Sequence, residues 1–111
     1  MGYSWADRNI RLKESHELLK KAVALSPNDG FITDSLGWAL FRLKRLDESL
    51  KVMRRAIRLV PTDPVITEHL GDVLEAVGKV KEAVNTWKRS LKMDPKNDKL
   101  KQKIEKYGAD L

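Results

Sequence analysis

Cysteine is absent from the 111 residues. That removes disulfides, thiolate metal ligands and thiol nucleophiles, and leaves the redox compartment open. Histidine is nearly absent too. The two present, His16 and His69, sit on separate elements with no second ligand at helical metal spacing, so a bound metal is not expected. No apolar run approaches the roughly 20 residues of a membrane helix. The opening Met1-Gly2-Tyr3-Ser4-Trp5 has no basic segment followed by an apolar one, so no secretory leader is expected in it. No Gly-rich phosphate loop occurs, because Gly30, Gly37, Gly71 and Gly78 fall at turns or at packing positions. No serine–histidine–acid arrangement can be built either, so neither an enzyme nor a cofactor is expected.

What the chain does have is a period. Pro27, Pro61 and Pro95 are 34 residues apart, and so are Ala22, Ala56 and Ser90. Leu36-Gly37 returns as Leu70-Gly71, Leu40 as Leu74, Met53 as Trp87, and Asp29 as Asp63 and Asn97. Each unit reads as two helices. Asp29 and Asp63 stand at N-cap positions, and Pro64 follows where a missing N–H costs nothing. Ile32, Leu36, Leu40 and Leu43 share one helical face, as do Ile66, Leu70, Leu74 and Val77. Lys44-Arg45 and Gly78-Lys79 make short turns. Second helices follow over about 46–60 and 80–93, each stopping before the proline. Gly37 and Gly71 lie inside helices, which implies close contact with the paired helix.

This spacing resembles the tetratricopeptide repeat, carried by Leu36-Gly37, Leu40, Ser49, Met53, Ala56 and Pro61, and by Leu70-Gly71, Leu74, Ala83, Trp87, Ser90 and Pro95. The early tryptophan usual in that motif is replaced by Thr33 and Thr67. The resemblance implies an all-α fold: tandem antiparallel helix–turn–helix repeats in a short right-handed superhelix, closed by a C-terminal capping helix. The expected divisions are 1–29, a truncated repeat; 30–63 and 64–95, full repeats; and 96–111, the cap and tail. In the truncated unit a turn is expected over Asp7–Arg11 and a second helix over 12–25. The chain is then expected to be the C-terminal part of a longer solenoid. The cap should lie over the last pair through Leu100, Ile104 and Tyr107. The segments 2–7, 34–38 and 69–72 also resemble the C-terminal portions of large bacterial, particularly alphaproteobacterial, repeat proteins. Such proteins are often periplasmic or membrane-associated scaffolds. The compartment itself cannot be read from the chain.

In this family the first helices line a concave groove. The implied groove residues are Tyr3, Phe31, Asp34, Trp38, Phe41, Arg42, Glu68, Asp72 and Glu75, with Val65, Ala76 and Asp7 continuing the stripes. Trp5 and Trp87 take core places instead. The groove acids are expected to face only Arg42, which would favour a basic or amphipathic polypeptide partner and no small-molecule substrate. Two other readings stay open. The net charge of +6 could place nucleic acid on the outer helices, through Lys51, Arg54, Arg55, Arg58, Lys88, Arg89 and Lys92. Copies could also self-associate through the exposed face of the first unit.

Overall fold

The computed structural model describes residues 5–108, and the side chains of 11–108. Six helices follow one another: α1 (Trp5–Leu25), α2 (Gly30–Arg42), α3 (Leu46–Leu59), α4 (Pro64–Ala76), α5 (Val80–Met93) and α6 (Asp98–Lys106). No strand occurs among the described residues. Helices α2 and α3 pair, as do α4 and α5, and the pairs stack into a right-handed repeat superhelix.

The caps form where the sequence places them. Asp29 Oδ1 accepts from the Phe31 and Ile32 amides at 2.9 and 3.1 Å. Asp63 Oδ1 accepts from Ile66 at 2.9 Å, behind Pro64 at the first helical position. Asn97 Oδ1 accepts from Leu100 at 3.1 Å. These bonds satisfy amide donors that have no partner inside the helix. The α2–α3 and α4–α5 turns both need a left-handed residue: Gly78 has φ +90°, and Lys44 takes the equivalent place at φ +66°.

Helix α1 departs from expectation. It runs unbroken from Trp5 to Leu25, through the stretch 7–11 expected to turn. The physical reason is local. No glycine or proline lies within the helix, and Arg, Leu, Lys and Glu propagate it readily. The side chains of Trp5 and Asp7 fall outside the described ones.

Two apolar clusters make the core. Met53, Leu70, Val73, Leu74 and Ala83 form one, flanked by Phe41, Leu50 and Ile57. Val84, Trp87, Leu100 and Ile104 form the other. Trp87 is buried, as expected, and Leu100 and Ile104 of α6 are completely so. The glycines set how closely each pair packs. A Cβ on Gly37 would fall 2.3 Å from Met53 Sδ, and one on Gly71 would fall 2.3 Å from both Cδ1 and Nε1 of Trp87.

Gly71→Ala therefore has to move a rigid indole, and overpacking of that kind costs about 1–3 kcal/mol. Alanine's helix preference of up to about 1 kcal/mol offsets part of this. Gly37→Ala meets a flexible thioether and is expected to cost less. Lys44→Gly should stabilise by up to about 1 kcal/mol, since it removes a left-handed β-carbon. Urea unfolding of the three variants checks the order. A Gly71→Ala protein as stable as wild type would refute the close-contact account.

Candidate functional site

The first helices α2, α4 and α6 meet along the inner side of the stack, and polar and aromatic contacts recur there with the repeat. Asp34 of α2 meets His69 of α4, Oδ1 to Nδ1 at 2.9 Å. One repeat later Glu68 of α4 accepts from Lys103 Nζ of α6 at 2.8 Å. Both pairs are 35 residues apart. Trp38 stacks on His69 with ring centres 4.1 Å apart. At the equivalent place Asp72 accepts from Lys103 Nζ at 2.9 Å and from Trp87 Nε1 at 3.2 Å. Tyr107 donates its hydroxyl to Glu75, and Asn97 Nδ2 donates to Glu68 at 2.8 Å.

This arrangement corrects the expectation that the inner acids face only Arg42. Asp34 is buried against His69, while Glu68 and Asp72 are held by Lys103, and Glu75 by Tyr107. The cap brings polar groups as well as its apolar stripe. Trp38 is half-buried between His69 and Phe41, whose ring centre lies 4.8 Å away. Phe41 also packs on the first core cluster, so its role is partly structural. Phe31 is 58% exposed and Arg42 is exposed. Tyr3 lies outside the described residues. His69, which has no second ligand at helical metal spacing in the sequence, joins two repeats. A signal for it was present: an acid with a basic group 35 residues on, at 34 and 69 and again at 68 and 103.

Burial pushes the Asp72 carboxyl above the usual carboxylate range, although Lys103 and Trp87 pull the other way. Burial acts to lower the Lys103 ammonium, but its bonds to Glu68 and Asp72 outweigh this and leave it raised. The hydrogen bond to Glu75 raises the Tyr107 phenol. On the outer helices several cations are tied down. Arg54 forms a two-bond pair with Glu82 at 3.0 and 3.3 Å, holding that carboxyl below its usual range, and Arg55 donates to the Pro27 carbonyl at 2.7 Å. Among the described residues no cluster of three or more histidines or acids is placed to hold a metal ion, and no helix is long and apolar enough to cross a membrane.

Lys103→Ala would leave Glu68 and Asp72 facing each other. It should destabilise by about 1 kcal/mol, a value kept small because the lysine is partly exposed. Lys103 and Tyr107 both titrate higher folded than unfolded, so their ties are fully present at neutral pH. They fade as pH rises beyond the ordinary values of 10.5 and 10.0. Asp72, also raised, has the same sign: its ionisation costs stability at neutral pH, and Asp72→Asn should unfold no more readily than wild type at pH near 7. Tryptophan fluorescence in a Trp5→Phe, Trp38→Phe background, where Trp87 is the remaining indole, followed through alkaline and thermal titrations reads all three. Alkaline loss of α6 contacts that is identical in wild type and Lys103→Ala would refute the role given to Lys103.

A family model described as tetratricopeptide repeat matches residues 35–63. The TPR repeat-containing protein PA4667 of Pseudomonas aeruginosa is 48% identical over 42 residues, which is 38% of this chain and 7% of that protein. The crystal structure of MamA superposes with a TM-score of 0.79 at 24% identity, covering 84% of this chain and 54% of that one. The first TPR of Spaghetti (RPAP3), bound to the HSP90 peptide SRMEEVD, gives a TM-score of 0.84 at 20% identity, covering 89% and 79%. Residues 35–63 thus match one tetratricopeptide repeat, and the repeated glycine contacts, caps and prolines extend the same pattern along the chain, which has the fold of solved tetratricopeptide-repeat structures, typically a non-catalytic module for protein–protein interaction.

Proposed function

We propose that the chain is a scaffold module that binds a polypeptide segment along the inner face of α2 and α4. The observation that carries this is the exposure of Phe31 (58%) and of Val65 (56%), which hold equivalent places one repeat apart. Phe31, Ser35, Trp38 and Arg42 recur every three or four residues and so share one stripe of α2. An exposed phenylalanine beside a half-buried indole offers a large contact area of the kind found at binding hot spots. Arg42 adds a cation at the end of the stripe.

The internal ties of Asp34, Glu68, Asp72 and Glu75 bear on the choice of partner. Carboxylates already holding His69, Lys103 and Tyr107 have less left to give a basic peptide, which favours the amphipathic partner of the two classes expected. Their charge still disfavours an acidic one. The Spaghetti domain binds SRMEEVD. Here Asp34, Glu68 and Asp72 stand on the inner helices, and like charge opposes such a ligand. Nucleic-acid binding by the outer helices has less support, because Arg54 and Arg55 already serve internal contacts and no aromatics alternate with the cations to stack on bases.

The test is capture of partners by this chain, followed by its titration with the bound segment. Phe31→Ala and Trp38→Ala should each weaken binding by about 2 kcal/mol or more. Phe31→Ala should leave the unfolding midpoint nearly unchanged. Trp38→Ala should cost much less stability than the about 3–5 kcal/mol expected for Trp87→Ala. Equal destabilisation by the two tryptophan changes would make Trp38 a core residue and remove it from the site. Micromolar binding of SRMEEVD, abolished by changes on α2 or α4, would overturn the partner assignment.

A further inference from the structure

Two polar atoms on the inner face have no hydrogen-bond partner among the described residues: Nε1 of Trp38 and Nε2 of His69. The hydrogen bond of His69 runs from Nδ1 to Asp34, and the Trp38 indole contacts its neighbours only by stacking. No side-chain nitrogen or oxygen among the described residues is both buried and unpartnered, so both atoms reach the surface. Their chemistry is fixed by what lies behind them. The Asp34 carboxylate only accepts, so the hydrogen between the two groups belongs to Nδ1. In the neutral ring Nε2 is then an acceptor, whereas an indole Nε1 only donates. The two rings lie 4.1 Å apart and within 22° of parallel. A donor and an acceptor therefore sit on adjacent stacked rings.

We infer that Trp38 and His69 form an amide-binding pair, Trp38 Nε1–H donating to a carbonyl oxygen and His69 Nε2 accepting from an N–H. The inference rests on the inner face being the polypeptide site and names the chemistry that the site recognises. A carboxylate brings no donor and an ammonium no acceptor, so neither satisfies both atoms. An amide source satisfies both in one of two ways. In an extended strand the N–H and C=O of one residue point to the same side. The carboxamide of Asn or Gln likewise offers both together. Asp34 is a positioning residue here: it holds the tautomer and does not touch the ligand.

The test uses the full chain, labelled with 15N, at mildly alkaline pH. Long-range proton–nitrogen correlations should show His69 protonated at Nδ1 and bare at Nε2. Titration with N-acetylalanine N-methylamide, an extended-residue mimic, should move the Trp38 indole N–H and His69 Nε2 signals together and saturably. Acetamide acting in its place identifies a side-chain carboxamide as the ligand and supports the same pair. N-methylacetamide, whose N–H and C=O point in opposite directions, should bind more weakly. Trp38→Phe keeps a stacked ring and should weaken the effective probe about fivefold, the worth of one neutral hydrogen bond. Protonation at Nε2, or no joint shift with either amide, overturns the pair. If Phe31→Ala still weakens the captured partner in that event, the polypeptide site stands without this chemistry.

Discussion

The contact on which the rest depends is a large side chain lying directly on a helix backbone. Trp87 rests on Gly71, and Met53 on Gly37, at distances that no β-carbon would permit. A glycine inside a helix costs up to about 1 kcal/mol, and dispersion and burial against a ring or thioether offset it. The close approach lets one helix of each pair use a single face for its partner. Its other faces are then free to meet the next repeat and solvent. The hydrogen bond from Ser49 Oγ to the Gly37 carbonyl, at 2.7 Å, ties the same crossing from the second helix.

With the pairs fixed, the angle between successive first helices is left to side chains, and the same positions are used each time. An acid at 34 or 68 reaches a basic group at 69 or 103. An aromatic at 38 and an acid at 72 lie against those same basic groups. Charged hydrogen bonds of this kind contribute modestly when partly exposed. Their geometric effect is larger, because two contacts at each step define a rotation as well as a distance. Helix α6 is short and strongly polar, and it holds its place through Leu100 and Ile104 below and Asn97, Lys103 and Tyr107 above.

Much of this was legible in the sequence because it is local. Prolines end helices by their own stereochemistry, Asp29 and Asp63 cap within three residues, and a glycine inside a helix implies close contact with the paired helix. The stretch 7–11 misled because its turn was inferred from repeat arithmetic alone. Nothing in Asp7-Arg8-Asn9-Ile10-Arg11 stops a helix, and local propensity decided. The inner face was harder for a different reason. Its acids were placed correctly on the first helices, but their partners come from the following element and lie off the 34-residue register, by 35 residues for Asp34 and Glu68, 31 for Asp72 and 32 for Glu75. His69 aligns with Ser35 and Lys103, so the basic type recurs at only two of the three places. Reading charge along one helix made Glu68, Asp72 and Glu75 look unopposed, while Tyr107 was expected only as part of the apolar stripe of the cap.

The two equivalent steps along the inner face end in opposite chemistry. Between α4 and α6 the facing polar groups hold one another: Lys103 lies between two carboxylates, and the Trp87 N–H is satisfied by Asp72. Between α2 and α4 the same positions hold rings. An ion pair at such a place uses up its hydrogen-bonding capacity, whereas stacked rings hold each other by their faces and leave their edges available. Replacing Lys103 by histidine and Asp72 by tryptophan in the repeat pattern is what distinguishes the α2–α4 step. The first change keeps one bond to an acid, and the second removes the remaining charge. Glu75, which stands where α2 has Phe41, adds its bond from Tyr107, so the difference between the two steps rests on a few residue choices at equivalent places.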